Sequence, residues 1–310
     1  MHGIPDHEMS RVRPARSSHL VTLLATGLGM LLLATTAAAR DDARAREILD
    51  HAKALDRSER HWSDRRQTLT FRIHGKGGEN TRELRLYETH AVDDSHKILV
   101  RFTDPSDVRG VGILAFTAKH GGGQQWMYTP AWRRERLLSD SARDQRIAGS
   151  DLTHNDLDLM TELPGWDESD ADAELRGEEA IDGEPCHIID LTPKRKDVPY
   201  KRITIWLGKS DLVARRLELF REGAAPVKRI TQADIRPGGR IPVARRVIAE
   251  TIADRTSTEI LISDPTVFDV GVPEQCFTVA TMNDPVGDDA ACGASRGSSE
   301  PEAKERAGEG

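Results

Sequence analysis

The chain of 310 residues lacks several features that would point directly to a metal protein. It has three cysteines, Cys186, Cys276 and Cys292, and no two of them have the CxxC spacing of a structural zinc site. None of its eleven histidines pairs with another at the i, i+4 spacing of a metal-binding helix. We therefore expect no bound metal and no cofactor.

The signature of a serine nucleophile is also missing around the one place that suggests it. Ser150, Asp151 and His154 lie close together, but triad members are normally distant in sequence, and Ser150 is not set in a Gly-x-Ser-x-Gly elbow. Helix capping explains these residues better, with Ser150 or Thr153 as the cap and Asp156 completing a capping box. We predict no catalytic residues and no enzymatic activity.

An excess of positive charge is absent as well. The formal net charge is -7, and no basic run covers a whole face. Such a field repels phosphate, so a nucleic-acid partner is not expected. We predict a monomer.

No apolar run reaches the roughly 20 residues that are needed to span a bilayer. The run from Leu20 to Ala34 follows a segment with three arginines and precedes the sequence Ala37-x-Ala39. This order is typical of a secretory signal peptide. It predicts that residues 1–39 are removed after Ala39 and that the protein is exported to the periplasm.

The body of the chain is predicted to form one β domain over residues 40–283. Residues 284–310 consist mostly of Gly, Ala, Ser, Glu and Asp, which predicts a disordered tail. An odd number of cysteines in an oxidising compartment allows one disulfide and one free thiol. Cys276 with Cys292 would close a local loop, whereas Cys186 with Cys276 would join two strands, and the sequence does not choose between them.

One helix precedes a long series of strands. Residues 41–57 carry apolar side chains on one stripe, which predicts an amphipathic helix. Apolar and polar residues then alternate with period two in many short runs, which predicts antiparallel strands with one buried face. Twelve segments carry this pattern, near 69–73, 84–86, 98–102, 111–118, 124–129, 133–138, 186–191, 203–207, 212–220, 227–234, 243–251 and 256–262. From them we expect about ten to eleven strands.

A sheet of this length cannot stay flat, and one curled sheet with an apolar concave side accounts for the pattern. The helix at 41–57 and a short helix at 151–160 are available to cover that side. Trp126 and Tyr128 are two residues apart and share a face. Such aromatic residues either pack in the core or line an apolar cavity.

Four stretches resemble a known family. They are Phe102-Thr103-Asp104-Pro105 with Asp107 to Gly110; Trp126-x-Tyr128-x-Pro130 with Arg133-Arg134; Gly149 to Thr153 with Asp156-Leu157; and Cys186 to Lys194 with Tyr200-Lys201-x-Ile203 and Trp206. The chain is similar to the outer-membrane lipoprotein-sorting proteins, the LolA-like periplasmic carriers, in their longer form. The similarity covers nearly all of residues 40–283.

The resemblance implies a mainly β fold, a half-open β-barrel with an N-terminal helix and a short helical lid. It implies a carrier that binds lipid or an acylated lipoprotein in an apolar concave cavity, with an inner-membrane lipid transporter as a further partner. The alternative is a non-catalytic accessory or scaffold protein of such a transporter. The expected cavity residues are Phe71, Phe102, Phe116, Trp126, Tyr128, Trp132, Leu157, Met160 and Trp206, and the expected head-group or partner contacts are Arg109, Arg133 and Arg134.

Overall fold

The structure is a computed structural model that describes residues 42–263 and 266–293, with the side chains of 288 and 289 left aside. The chain divides into two compact units, residues 1–44 and 45–310. The contacts discussed below all lie within the second unit. The predicted signal peptide lies outside the described residues.

In the described part of the chain, fourteen antiparallel strands form one sheet. They are β1 Asp64–Gly75, β2 Gly78–His90, β3 His96–Asp104, β4 Gly112–Thr117, β5 Gln124–Thr129, β6 Arg134–Leu137, β7 Ala171–Ile181, β8 Glu184–Pro193, β9 Arg202–Gly208, β10 Ala214–Phe220, β11 Lys228–Gly238, β12 Ile241–Thr251, β13 Thr256–Ile262 and β14 Val267–Phe268.

The strand order is β6-β5-β4-β3-β2-β1-β13-β12-β11-β10-β9-β8-β7, with β14 pairing to the start of β1. Two runs of hairpins, β1 to β6 and β7 to β13, therefore meet where β1 pairs with β13. The sheet is curled and not closed, so β6 and β7 remain as its two edges.

Five α-helices accompany the sheet in the described residues. They are α1 at residues 42–57, α2 Asp140–Arg143, α3 His154–Glu162, α4 Val279–Asn283 and α5 Asp288–Ala291. The connection from β6 to β7 contains α2 and α3, and it is the long crossover between the two runs of hairpins. We call residues 146–163 the lid segment.

One apolar cluster fills the concave side of the sheet. Side chains alternate along each strand, so β3 points Ile98, Val100 and Phe102 to this side. Apolar residues of both runs of hairpins join the same cluster, together with Ala45 of α1 and Leu159 of α3. The concave side therefore forms the main core of the protein, with α1 and the lid segment as its cover.

The convex side of β2 to β5 carries a second apolar cluster, built on Tyr87, Leu99 and Leu114. Residues 272–292, which we call the C-terminal strap, cover it with Phe277 and Met282. A disulfide joins two buried cysteines of the strap, Cys276 and Cys292, across 16 positions of sequence. This settles the pairing that the sequence left open, and Cys186 is a buried free thiol.

The predicted fold class is confirmed, although the sheet has more strands than expected. The strand β7 was not predicted because its alternation shifts at a bulge between Leu175 and Gly177 and five of its eleven residues are charged. The strand β14 has two residues, too few for a pattern. The predicted tail begins at 284, where the described residues still include α5 and Cys292, and residues 294–310 lie outside the described part.

Candidate functional site

Helix α3 of the lid segment begins at a capping motif formed by residues that are close in sequence. Thr153 is the N-cap of α3: its hydroxyl accepts a hydrogen bond from the Asp156 N–H, and the Asp156 carboxylate accepts one from the Thr153 N–H at 2.7 Å. This is a complete capping box, as predicted. Ser150 instead bonds through its hydroxyl to the backbone of Leu152, two residues away.

Asp151 attaches the lid segment to the end of the β12–β13 hairpin. Its carboxylate is fully buried and accepts hydrogen bonds from three threonine hydroxyls at 2.5–2.9 Å, those of Thr251, Thr256 and Thr258. Arg146 lies 3.3 Å from the same carboxylate. Burial removes water from the Asp151 carboxylate. The three hydrogen bonds and the nearby guanidinium compensate for that loss.

Asp156 attaches the start of α3 to other elements of the same run of hairpins, β7 to β13. Its carboxylate accepts a hydrogen bond of 2.5 Å from the hydroxyl of Tyr200, and Lys228 at the start of β11 forms a buried ion pair with it. Burial, together with this carboxylate, raises the pKa of Tyr200, so the phenol stays protonated. Asp156, which completes the capping box, is thus also a buried anchor of the helix.

His154 and Asp158 connect α3 to the strand β5. Gln125 accepts a hydrogen bond of 2.8 Å from His154 Nδ1 and donates one of 2.5 Å to the Asp158 carboxylate. Burial, with a smaller effect from the charges of Arg136 and Arg143, lowers the pKa of His154 to about 4. Burial raises the pKa of Asp158 to about 6, although Gln125 and Arg143 act against it. The imidazole is therefore neutral, and it is used as a hydrogen-bond donor.

The far end of α3 is attached to the loop between β8 and β9. Arg195 lies 2.7 Å from the Glu162 carboxylate and 2.6 Å from that of Asp197. Burial raises the pKa of Glu162 to about 7, against the opposing effect of Arg195. A cleft beside these groups encloses about 20 Å³, which is room for about one water molecule.

The underside of the lid segment is apolar. Leu157, Met160 and Leu163 pack with Leu159 against the concave cluster, next to Ile48 and Leu49 of α1. The site therefore consists of an apolar concave surface, helix α3 held to it at both ends by buried polar groups, and helix α1 beside α3. Chemically it can bury apolar groups.

Ser150, Asp151 and His154 each bond to a different group. The Asp151 carboxylate accepts hydrogen bonds from threonine hydroxyls, and His154 donates one to Gln125. The hydroxyl of Ser150 bonds to the backbone of Leu152. The three side chains anchor and shape the lid segment.

One group of potential metal ligands occurs elsewhere. The ligand atoms of His120, Asp167 and Asp170 lie within 4.8 Å of one another. Lys119 is 3.6 Å from Asp167, and Ser169 donates to that carboxylate from its N–H and its hydroxyl. These contacts join the turn between β4 and β5 to the loop before β7, so we assign the group a structural role.

The predicted cavity residues divide between the two sides of the sheet. Phe71 and Phe102 are buried in the concave cluster, where Leu157 and Met160 of the lid segment also pack. Phe116, Trp126 and Tyr128 belong to the convex cluster. Trp206 is buried in a small separate cluster, where its indole N–H donates to Glu179. Trp132 is exposed in the turn between β5 and β6.

Because side chains alternate, the convex aromatic residues point away from the concave side. In this conformation they contact the C-terminal strap and one another. The three predicted head-group residues, Arg109, Arg133 and Arg134, are exposed near the ends of β3 and β5, outside the concave cluster.

Three groups of the site were missed by sequence reasoning: Tyr200, Lys228 and the threonines of β12 and β13. Lys228 shares a strand face with the buried Ile230, so a lysine on an apolar face was the available signal. The threonines gave none, because threonine is common in any strand.

The chain is similar in fold to several solved structures. An outer membrane lipoprotein-sorting domain assigned in Vibrio parahaemolyticus superposes with a TM-score of 0.71 at 23% identity, covering 78% of this chain and all of that one. A DUF1329 family protein from Desulfovibrio piger gives 0.69 at 24% identity, covering 77% and 98%. A LolA superfamily protein from Nitrosomonas europaea gives 0.56 at 17% identity, covering 76% and 97%.

A family model whose description reads "Uncharacterized protein" matches residues 94–284. The chain belongs to this family. No curated protein matches it. The predicted resemblance to the outer-membrane lipoprotein-sorting proteins is confirmed in the fold. Among the described helices, none is both long and apolar enough to cross a bilayer.

Proposed function

We propose that the protein is a non-catalytic periplasmic carrier. It binds the acyl chains of a lipid or lipoprotein on the concave side of the sheet, for sorting or transport toward the outer membrane. The observation that carries the proposal is the single apolar cluster between the concave side and two amphipathic covers. Each buried CH₂ of an acyl chain contributes about 0.8 kcal/mol, so such a surface needs no catalytic group.

The two covers are held differently, which supports a specific route for the ligand. The lid segment is tied by buried groups, whereas α1 is held by polar contacts at its surface. Arg46 donates to Ala171 O at 2.8 Å, Lys53 to Gly165 O, and Arg57 pairs with Asp94. We expect α1 to move when an acyl chain enters, since the concave cluster is filled by the protein's own side chains.

Export to the periplasm is part of the proposal. The motif at residues 20–39 supports it, and so does the disulfide, because disulfides persist in oxidising compartments. Mass spectrometry of the protein recovered from the periplasm should give a chain that begins at Arg40. A chain that keeps residues 1–39 would contradict this part of the proposal alone.

Uptake of a fluorescent fatty acid tests the carrier directly. Arg57→Ala loosens α1, so we expect faster uptake than in the unaltered protein. Arg72→Ala is the matched control, because Arg72 is exposed to the same extent, 48% against 44%, but pairs with Glu259 on the convex side. Absence of uptake in all three proteins, with no lipid in native mass spectra, would overturn the proposal.

An accessory role in an envelope lipid transporter is the second candidate. The filled concave cluster favours it, because a scaffold does not need to open. Capture of an inner-membrane lipid transporter by the purified protein, without any lipid bound, would favour this role over the carrier.

A further inference from the structure

The turn between β5 and β6 exposes a tryptophan that the core does not use. Trp132 is 69% exposed, whereas Trp166 and Trp206 are both less than a tenth exposed. Two residues of the preceding strand, Trp126 and Tyr128, pack under the C-terminal strap. An indole ring left in water at the end of a strand carries an apolar surface without a partner in the described residues.

Other exposed residues meet this turn. A Cβ placed on Gly110 would lie 3.0 Å from Pro130 and 3.2 Å from Pro285, so three loops touch here. The loop of Gly110 brings Arg109, and the loop of Pro285 brings Val286, which is 89% exposed. We call Arg109, Trp132, Arg133, Arg134 and Val286 the exposed tip.

Only some of the guanidinium groups of the exposed tip have an acidic partner in the described residues. Among the described residues, Arg133 and Arg134 form no ion pair, and Arg109 pairs with the exposed Asp104 at 2.9 Å. Of the acids nearby, Glu135 accepts from Asn283 at 2.9 Å, and Asp284 accepts from the N–H groups of Val286 and Gly287.

We propose that the exposed tip docks the protein on the surface of an anionic lipid bilayer. Indole rings favour the level of the lipid head groups, and guanidinium groups bind phosphate. Two unpaired arginines beside an exposed ring supply both contacts without any rearrangement of the fold. The proposal goes beyond acyl-chain binding and does not depend on it, since the exposed tip lies outside the concave cluster.

Cosedimentation with lipid vesicles tests this surface. The purified protein should bind vesicles of phosphatidylethanolamine and phosphatidylglycerol more tightly than vesicles without phosphatidylglycerol. Arg133→Gln with Arg134→Gln should weaken binding to the anionic vesicles, by about fivefold for each arginine at low salt. Trp132→Ala should weaken it too and should abolish a blue shift of the tryptophan emission on binding.

Matched variants separate docking from general effects of charge and apolarity. Arg255→Gln removes another exposed arginine with a similar turn conformation, φ 55° against 47° for Arg133. Val92→Ala truncates another apolar side chain, which is 90% exposed in the turn between β2 and β3. Both should bind vesicles as the unaltered protein does.

Equal binding by the tip variants and these controls would overturn the proposal, as would no binding by the unaltered protein. Because the variants of the exposed tip leave the concave cluster unchanged, a failure here leaves the fatty-acid uptake experiment unaffected. Capture of a protein through Trp132 without vesicle binding would assign the exposed tip to a protein partner and would also overturn the proposal.

Discussion

The two sides of the sheet are covered by segments that are held in different ways. On the concave side, the lid segment is tied by carboxylates: Asp151, Asp156 and Glu162. On the convex side, the C-terminal strap is tied by a disulfide and by Arg101, which donates to backbone carbonyls. Burial raises the pKa of Glu162 to about 7, so this tie of the lid segment responds to pH, whereas the disulfide and Arg101 do not, and the covers can be loosened separately.

The largest effect is expected from Asp156→Ala on the lid segment. It removes the capping box and leaves the buried ammonium of Lys228 without its partner. Breaking a buried ion pair costs about 3–5 kcal/mol, which urea unfolding would measure. Asp144→Ala is the control, because that carboxylate pairs with Arg221 at the surface and should cost about 1 kcal/mol or less. Equal losses would show that Asp156 is not an anchor.

Arg101→Met tests the strap in the same way. The guanidinium is buried and donates to Gly110 O at 2.6 Å, Met282 O at 2.6 Å and Thr281 O at 3.1 Å. Its loss leaves buried carbonyls without a donor, and we expect about 3 kcal/mol of destabilisation. Arg246→Met on the charged part of the convex side should cost less than about 1 kcal/mol. In the Arg101→Met protein, limited proteolysis should cleave the strap first. Earlier cleavage in the lid segment would contradict the assignment of Arg101 to the strap.

Removing the disulfide should have a somewhat smaller effect. Cys292→Ser opens a loop of 16 positions, for which the loss is about 2–3 kcal/mol. Reducing agent should destabilise the unaltered protein by a similar amount and leave the variant unchanged. Cys186→Ser, which removes the free thiol, is the control for the reagent. Sensitivity of the Cys292→Ser protein to reductant would point to another cause.

The smallest effect concerns pH and the lid segment. Burial raises the pKa of Glu162 from 4.5 to about 7, so the folded state holds this proton longer than the unfolded state does. The contribution of Glu162 to stability is therefore full below about pH 4.5 and falls as the pH rises toward 7. Asp158 acts in the same direction, whereas the lowered pKa of His154 acts oppositely between about 4 and 6.5.

Glu162→Gln isolates this contribution. Relative to the unaltered protein, the variant should gain about 2 kcal/mol in unfolding free energy between pH 4.5 and 7. Urea unfolding at several pH values measures the difference. Cys292→Ser should be shifted by the same amount at every pH, since it removes a disulfide and no titrating group. A pH-independent difference for Glu162→Gln would contradict the raised pKa.

The sequence was sufficient for the fold class, the first helix and the capping box of α3, because each is a local pattern. Trp126 and Tyr128 were correctly expected to share a face. Which face they share depends on what packs against β5, and the strap that packs there joins the sheet from 150 residues further along the chain. A strand such as β3, apolar on both sides, was the available sign of a second cover.

The anchors were harder to predict. Asp156 was identified as part of a cap, but its second role requires Tyr200 and Lys228, which only the folded sheet brings to it. The exposure of Trp132 was not predicted from the sequence either, because an aromatic residue after a proline turn is usually packed.

The open curl of the sheet leaves two strands, β6 and β7, each with one unpaired row of backbone groups. A free edge is a template on which a second molecule can add its own strand, and repeated addition gives fibres. In β6 all four residues are exposed and three of them are charged. In β7 the bulge between Leu175 and Gly177 breaks the regular spacing among five exposed charged side chains. A protein that keeps an open sheet can therefore stay dispersed at high concentration, and exchange of these charges for valine should lead to aggregation before it leads to unfolding.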